Sequence, residues 1–284
     1  DLADRVHYMR LIEALPLGAN ETADDIGAGG HTVRRILAEF PATTDRSMYL
    51  KLPASTPYIM QALDENRQVS ALFNQHFWVL PGERLKQVTR REVWNNRCSA
   101  CHGAISGKPG DTVLTPDTLT QASRVVANYD FGTLEALNPV DITATQPIVV
   151  DFESDVQPIL TSRCATAGCH NGAQAPDLRS GRPGTRFSGA YEALLARTTG
   201  GSGNGFDLVD ARSSDARTSV LAEKLHGADL QAPRPFIASG CPADQRVSDD
   251  ERFALMRWMD LGANYVGRSG SRKRFDLPHY QPGD

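Results

Sequence analysis

The sequence predicts an α+β chain: a small β-sandwich-like region first, then mainly helical segments joined by long loops. Two observations carry this. Up to about residue 85, short runs rich in Val, Ile, Tyr, Leu and Phe alternate with Gly, Pro, Asn and Asp, which supply turns. Beyond it, apolar residues recur at helical spacing and the strand-like runs stop.

The strand candidates are Arg5–Leu15, Ser47–Leu52, Pro57–Leu63 and Phe77–Leu80, with Asp64-Glu65-Asn66 as a hairpin tip and the small, polar stretch 19–30 as a loop. Helix candidates follow at 89–97, at 116–129 (Leu119, Ala122, Val125, Val126, Tyr129) and at 151–163, where Phe152, Val156, Ile159 and Leu160 share a face and Pro158 is expected to kink the axis. Two shorter helices are expected at 191–197 and 219–225. The last helix has the clearest signals: Ser248 and Glu251 form a capping box, Phe253, Met256 and Trp258 face inward, and Gly262 stops it. The expected organisation is a β-rich domain over 1–85, a first haem-motif segment over 86–147 and a second motif domain over 148–284.

Bulk properties exclude some functions. A net charge of -4, with basic residues scattered, gives no footprint for nucleic acid. No run reaches the 18 or so apolar residues that a membrane helix needs. The chain starts at Asp1 without a hydrophobic leader and is read as a mature form or a piece of a longer precursor.

The chemistry lies in five cysteines, four of them in two close pairs, each pair followed at once by histidine. Cys98-Ser99-Ala100-Cys101-His102 is a C-x-x-C-H motif. Two intervening residues set the thiols to reach two vinyl groups of one porphyrin, and the adjoining histidine reaches the iron. Half of a zinc site is the competing reading, and it needs two further ligands. In the second motif four residues separate Cys164 from Cys169, and His170 follows. A bulged loop can still deliver both thiols, and Gly168 supplies the freedom; a local disulfide or half of a zinc site is the alternative reading of this pair. The order helix, Cys…Cys-His, loop, short helices, terminal helix resembles small class I cytochrome c domains. Two covalently attached haem c groups are therefore expected, with His102 and His170 as iron ligands. For a sixth ligand, His226 is the candidate at the second haem, with Met256 and Met259 read as core. At the first haem the candidate is His76, while Met60, Tyr129, His31, His279 and an open position stay in play. Cys241 is read as a structural thiol, and the basic 268–274 cluster as a solvated tail.

Ser47-Met48-Tyr49-Leu50-Lys51-Leu52-Pro53-Ala54, Thr56-Pro57, Gln61-Ala62-Leu63-Asp64 and Arg10-Leu11-Ile12-Glu13-Ala14-Leu15-Pro16 resemble the β-domain signature of hydrazine synthase alpha-subunit-like proteins. Trp78-Val79-Leu80-Pro81-Gly82-Glu83 and Cys98–His102 continue it, so the resemblance covers residues 5 to 103. The remainder is similar to the cytochrome c domain that ends many such proteins, on Asp155-Val156-Gln157-Pro158-Ile159-Leu160 and Trp258-Met259-Asp260-Leu261-Gly262-Ala263. The resemblance implies a shared architecture and a carboxy-terminal portion of a longer protein, rather than an activity.

The functional expectation is a di-haem electron carrier, not an enzyme, passing single electrons between redox protein partners or along a self-assembled haem chain. Haem c is attached outside the cytoplasm, so the expected location is periplasmic or extracellular. The alternative is an enzyme with a five-coordinate first haem acting on a small nitrogen compound or peroxide, the second haem relaying electrons.

Overall fold

A computed structural model describes residues 5–42, 48–83, 140–142, 147–198, 206–228, 230 and 246–267. The first haem motif, Tyr129, Cys241, the 268–274 cluster and His279 lie outside them, as do the helices expected at 89–97 and 116–129. The chain divides into two compact units, Asp1–Glu13 with Ile36–Ile148 and Ala14–Arg35 with Val149–Asp284. The division is not linear: the segment 14–35 groups with the carboxy-terminal unit.

The first unit is built on a four-stranded sheet in the order β2-β1-β4-β5. The strands are β1 (Tyr8–Ala14), β2 (Arg34–Pro41), β4 (Tyr58–Leu63) and β5 (Val69–Phe77). β4 runs antiparallel to both β1, pairing Leu11 with Met60, and β5, with two register shifts. The tip between β4 and β5 falls at the expected Asp64-Glu65-Asn66, where the Asp64 carboxylate accepts from the amides of Asn66 and Gln68. The sandwich expectation is corrected here. Among the described residues there is this one sheet and a separate parallel ladder of β3 (Leu50–Lys51) with β6 (Val140–Asp141). Of the expected strand 77–80, only Phe77 belongs to a strand.

Met9, Leu11, Leu37, Phe40, Tyr58, Ala62 and Ile142 form the core of this unit. The rest of β1 does not alternate: Arg10 and Glu13 are as buried as their apolar neighbours. Arg10 is satisfied inside, its Nε donating to Glu39 Oε1 at 2.7 Å and its Nη1 to Gln61 Oε1 at 3.0 Å. Glu39 also accepts from Arg67 at 3.1 Å.

In the second unit a helical run extends from 152 to 164. Phe152–Val156 and Leu160–Cys164 are wide π turns flanking a short α-helical piece, Gln157–Ile159, with Pro158 in its first turn. Proline has no N–H to give, and the wider i→i−5 pattern on either side accommodates it; the Ala165 amide reaches back to the Leu160 carbonyl at 2.8 Å. Further helices are Gly189–Leu195, Val220–His226 and Asp249–Asp260, and one short turn, α1 (Ala23–Ile26), interrupts the stretch read as loop. No helix among the described residues is long and apolar enough to cross a membrane.

The core of this unit is aromatic. Phe152 contacts Tyr191, Trp258 and Tyr265 at centroid separations of 5.0, 5.5 and 5.6 Å. The polar ends are paired: the Tyr191 hydroxyl donates to Ala263 O and accepts from the Ala28 amide, and Trp258 Nε1 donates to Asn264 O. Met256 and Met259 are core side chains, 2% and 0% exposed, while Phe253 is only half-buried. Gly262 takes φ +94, and a Cβ there would lie 2.3 Å from the His31 ring, which is why the helix stops at glycine.

The capping box of the last helix is formed, Ser248 Oγ accepting from the Glu251 amide at 3.2 Å and Glu251 accepting from the Ser248 amide at 2.8 Å. Ser248→Ala removes one of the two bonds, and a loss of about 1 kcal/mol in urea unfolding is expected.

Candidate haem site at Cys164, Cys169 and His170

The helix starting at Phe152 has Asp151 as its cap, the carboxylate accepting from the Ser154 amide. It ends at Cys164, and the chain then folds tightly. The Cys169 amide donates to Thr166 O at 3.0 Å, closing a turn in which Gly168 has φ +78. That is the third position of a turn requiring positive φ. The two residues by which this motif exceeds the usual spacing are taken up there. The His170 amide then reaches back to Cys164 O, and the Leu178 amide donates to His170 O.

His170 is half-buried, and its Nδ1 lies 3.0 Å from the Pro176 carbonyl oxygen. A carbonyl can only accept, so Nδ1 carries the hydrogen, and in the neutral ring the lone pair is then on Nε2. This is how an imidazole is oriented and held in one tautomer for a metal. His170 lines a cleft together with Cys164 and Cys169. The opposite walls are apolar: Leu178, Leu194, Leu208, Val220 and Leu221. Arg163, Lys224 and Arg246 complete the lining with positive charge.

Cys164 is a free thiol, and burial pushes it up to about 11, with Glu251 adding to the effect and Arg246 opposing it. It is therefore protonated at neutral pH. In the haem-free chain, alkylation of Cys164 by iodoacetamide should be slow at pH 7 and accelerate only toward pH 11, and fast labelling at pH 8 would contradict the burial. The raised value also fixes a sign: the stability tied to this thiol is intact below pH 9 and is lost as pH climbs toward 11. Cys169 is disulfide-bonded. A sulfur in a disulfide cannot also form a thioether, so haem attachment at this motif requires Cys169 to be reduced.

With that condition the residues fit a haem c: two cleft-lining cysteines, one oriented imidazole with a free Nε2, and an apolar slot between them. Among the described residues no group of three or more His, Cys, Asp or Glu is placed to hold a bare metal ion.

His226 ends helix Val220–His226, but its Nδ1 donates to Ala222 O of its own helix at 2.9 Å, and Lys224, not His226, lines the cleft. His76 is exposed on β5. His31 lies between Arg34 Nη2 and the Ala211 carbonyl, and Met60 packs on the sheet core.

Residues 5–90 match the hydrazine synthase alpha subunit middle domain. Over 158 residues, 51% of the chain, the sequence is 32% identical to hydrazine synthase subunit alpha of Kuenenia stuttgartiensis. The solved Kuenenia stuttgartiensis hydrazine synthase superposes over 93% of the chain with a TM-score of 0.59 at 21% identity, which establishes the likeness of fold. The chain is thus related to the hydrazine synthase alpha subunit, as the motifs of residues 5 to 103 implied. The matches span only 18% of the curated relative and 39% of the solved chain. They also correct one expectation: the relative is a subunit of an enzyme, which overturns the reading of the chain as a carrier and not an enzyme.

Proposed function

We propose that the chain is a haem-bearing portion of an oxidoreductase subunit that acts, with protein partners, on a small nitrogen compound outside the cytoplasm. The 164–170 site holds a haem c that relays electrons. The observation that carries this is the His170 imidazole, fixed through Nδ1 on the Pro176 carbonyl while lining an apolar cleft with Cys164 and Cys169.

A haem c bound there supplies a one-electron iron couple. Cys164 and Cys169 would fasten it through thioethers, and His170 would give Nε2 to the iron. Leu178, Leu194, Leu208 and Val220 exclude water from the slot. Pairing of Nδ1–H with the carbonyl raises the basicity of Nε2. The proposed substrate chemistry belongs to the first motif, Cys98–His102, and the nitrogen-compound class rests on the similarity to hydrazine synthase.

The chain, produced with a haem c maturation system, tests the reading. Two haems per chain are expected, with one ferrous haem binding CO or nitric oxide. Wholly low-spin ferrous protein that binds neither gas would contradict the enzyme reading.

A further inference from the structure

We propose that Tyr265 and Glu153 form a proton-coupled redox pair, the place where a one-electron oxidation of the carboxy-terminal unit comes to rest. Neither residue lines the 164–170 cleft, and the pair stands apart from the haem reading of it.

Indole and phenol rings can lose an electron to a strong oxidant, and phenylalanine rings cannot. Trp258, Tyr191 and Tyr265 sit in one cluster with Phe152 and Phe187. Ring centroids are 6.3 Å apart from Trp258 to Tyr191 and 5.0 Å from Tyr191 to Tyr265. Phe152 lies between Trp258 at 5.5 Å and Tyr265 at 5.6 Å, stacked on the latter with 25° between the ring planes. Rings in such contact let an electron vacancy on one oxidisable side chain reach the next.

What separates the three is where the proton can go. An oxidised indole or phenol is strongly acidic, and the vacancy is trapped where a base takes its proton. The Tyr191 hydroxyl and Trp258 Nε1 donate to the carbonyls of Ala263 and Asn264. A carbonyl oxygen accepts a hydrogen bond but does not keep a proton. The Tyr265 hydroxyl donates to Glu153 Oε1 instead, and a carboxylate does keep one. Tyr265 is half-buried and Glu153 is exposed, so a proton moved to Glu153 exchanges with water. Burial, and then the bond to Glu153, hold the Tyr265 phenol above its ordinary range, so at neutral pH the ring keeps its proton until it is oxidised.

In the step, one electron leaves the Tyr265 ring for the oxidant, a high-valent haem iron or another strong one-electron acceptor, which is reduced by one electron. The phenolic O–H bond breaks and an O–H bond forms on Glu153 Oε1. The products are a neutral phenoxyl radical and a carboxylic acid.

The test oxidises the full chain with photogenerated tris(bipyridine)ruthenium(III), persulfate being the terminal electron acceptor, in the presence of a nitroso spin trap. Peptide mass spectrometry reads the adducts, fragment ions separating Tyr265 from Trp258. The parent should carry the adduct on Tyr265, and its freeze-quenched electron paramagnetic resonance spectrum should show a tyrosyl signal that falls in Tyr265→Phe. Glu153→Gln, a change at an exposed position, should lose most of the Tyr265 adduct, because an amide accepts the hydrogen bond but does not keep the proton. Tyr58→Phe, which removes a phenol that donates to the Pro53 carbonyl, should leave the Tyr265 adduct unchanged. A parent trapped at other side chains and not at Tyr265 would overturn the proposal, as would a Glu153→Gln chain with the parental yield at Tyr265.

Discussion

His170→Ala should abolish the low-spin spectrum of the second haem while leaving the polypeptide folded. The side chain makes one bond, from Nδ1 to the Pro176 carbonyl, and loss of one such bond costs about 1 kcal/mol. The bonds that shape the loop are made by the main chain: the His170 amide to Cys164 O, and its carbonyl from the Leu178 amide. Alanine keeps both. The fold should therefore survive and the iron should lose an axial nitrogen. High-spin absorption, CO binding to the ferrous form and restoration of low-spin bands by added imidazole are the expected signs. An unchanged Soret band in the variant would show that the iron ligand is another residue. His226 serves as a control: His226→Ala should leave the proximal ligation intact, because its imidazole is committed to Ala222 O and does not line the cleft.

The largest expected effect on stability lies in the other unit. Arg10 is 1% exposed, and its guanidinium holds Glu39, whose side chain is 5% exposed. Arg10→Met takes from the buried Glu39 carboxylate its most buried cationic partner and leaves it Arg67, which is itself about one-third exposed. Breaking the buried pair on one side should destabilise the unit by about 3–5 kcal/mol, read as a fall in the urea midpoint. The double variant Arg10→Met with Glu39→Leu removes both charges and should recover most of that loss, since a hydrophobic pair of similar volume replaces a desolvated ion pair at little cost. A double variant as unstable as the single would show that the damage is to packing rather than to charge. Gln61, which accepts from Arg10 Nη1, is retained in both and is the common background against which they are compared.

How far the fold was legible depended on how each element is buried. β1 and β4 read as strands because Leu11, Ile12, Tyr58 and Ile59 are β-branched, aromatic or large and apolar. β2 did not, because Ile36, Leu37 and Phe40 sit among Arg34, Arg35 and Glu39, and Glu39 works inside the unit as the partner of Arg10. A charged residue in a short window signals solvent; only the fold supplies the partner that makes it a strand residue. The grouping of segment 14–35 with the carboxy-terminal unit was hidden for a related reason. Its anchors are single long-range bonds, such as the Ala28 amide to Tyr191 and Asn264 Nδ2 to Thr32 O, which no local pattern announces.

At the site, the Cys164, Cys169 and His170 spacing and the need for glycine at 168 were readable, because turn chemistry is local. The cleft walls were not, since Leu178, Leu194, Leu208 and Leu221 come from separate segments. His226 and Lys224 of one helix differ in phase. Two residues rotate a side chain by roughly 200° around the axis, enough to move an imidazole from the cleft to its own helix's carbonyl. The lean toward a simple carrier failed because haem motifs specify a cofactor and not what is done with it; it was the similarity beyond the motifs, over residues 5–90, that pointed to an enzyme subunit.

Cys169 decides the central claim. Proteolysis of the mature, non-reduced chain followed by mass spectrometry of the peptide containing Cys164 and Cys169 should yield a coloured fragment one haem heavier than its amino acids, with neither sulfur free to alkylate. A colourless fragment that retains a disulfide at Cys169 and an alkylatable Cys164 would contradict haem attachment at this site.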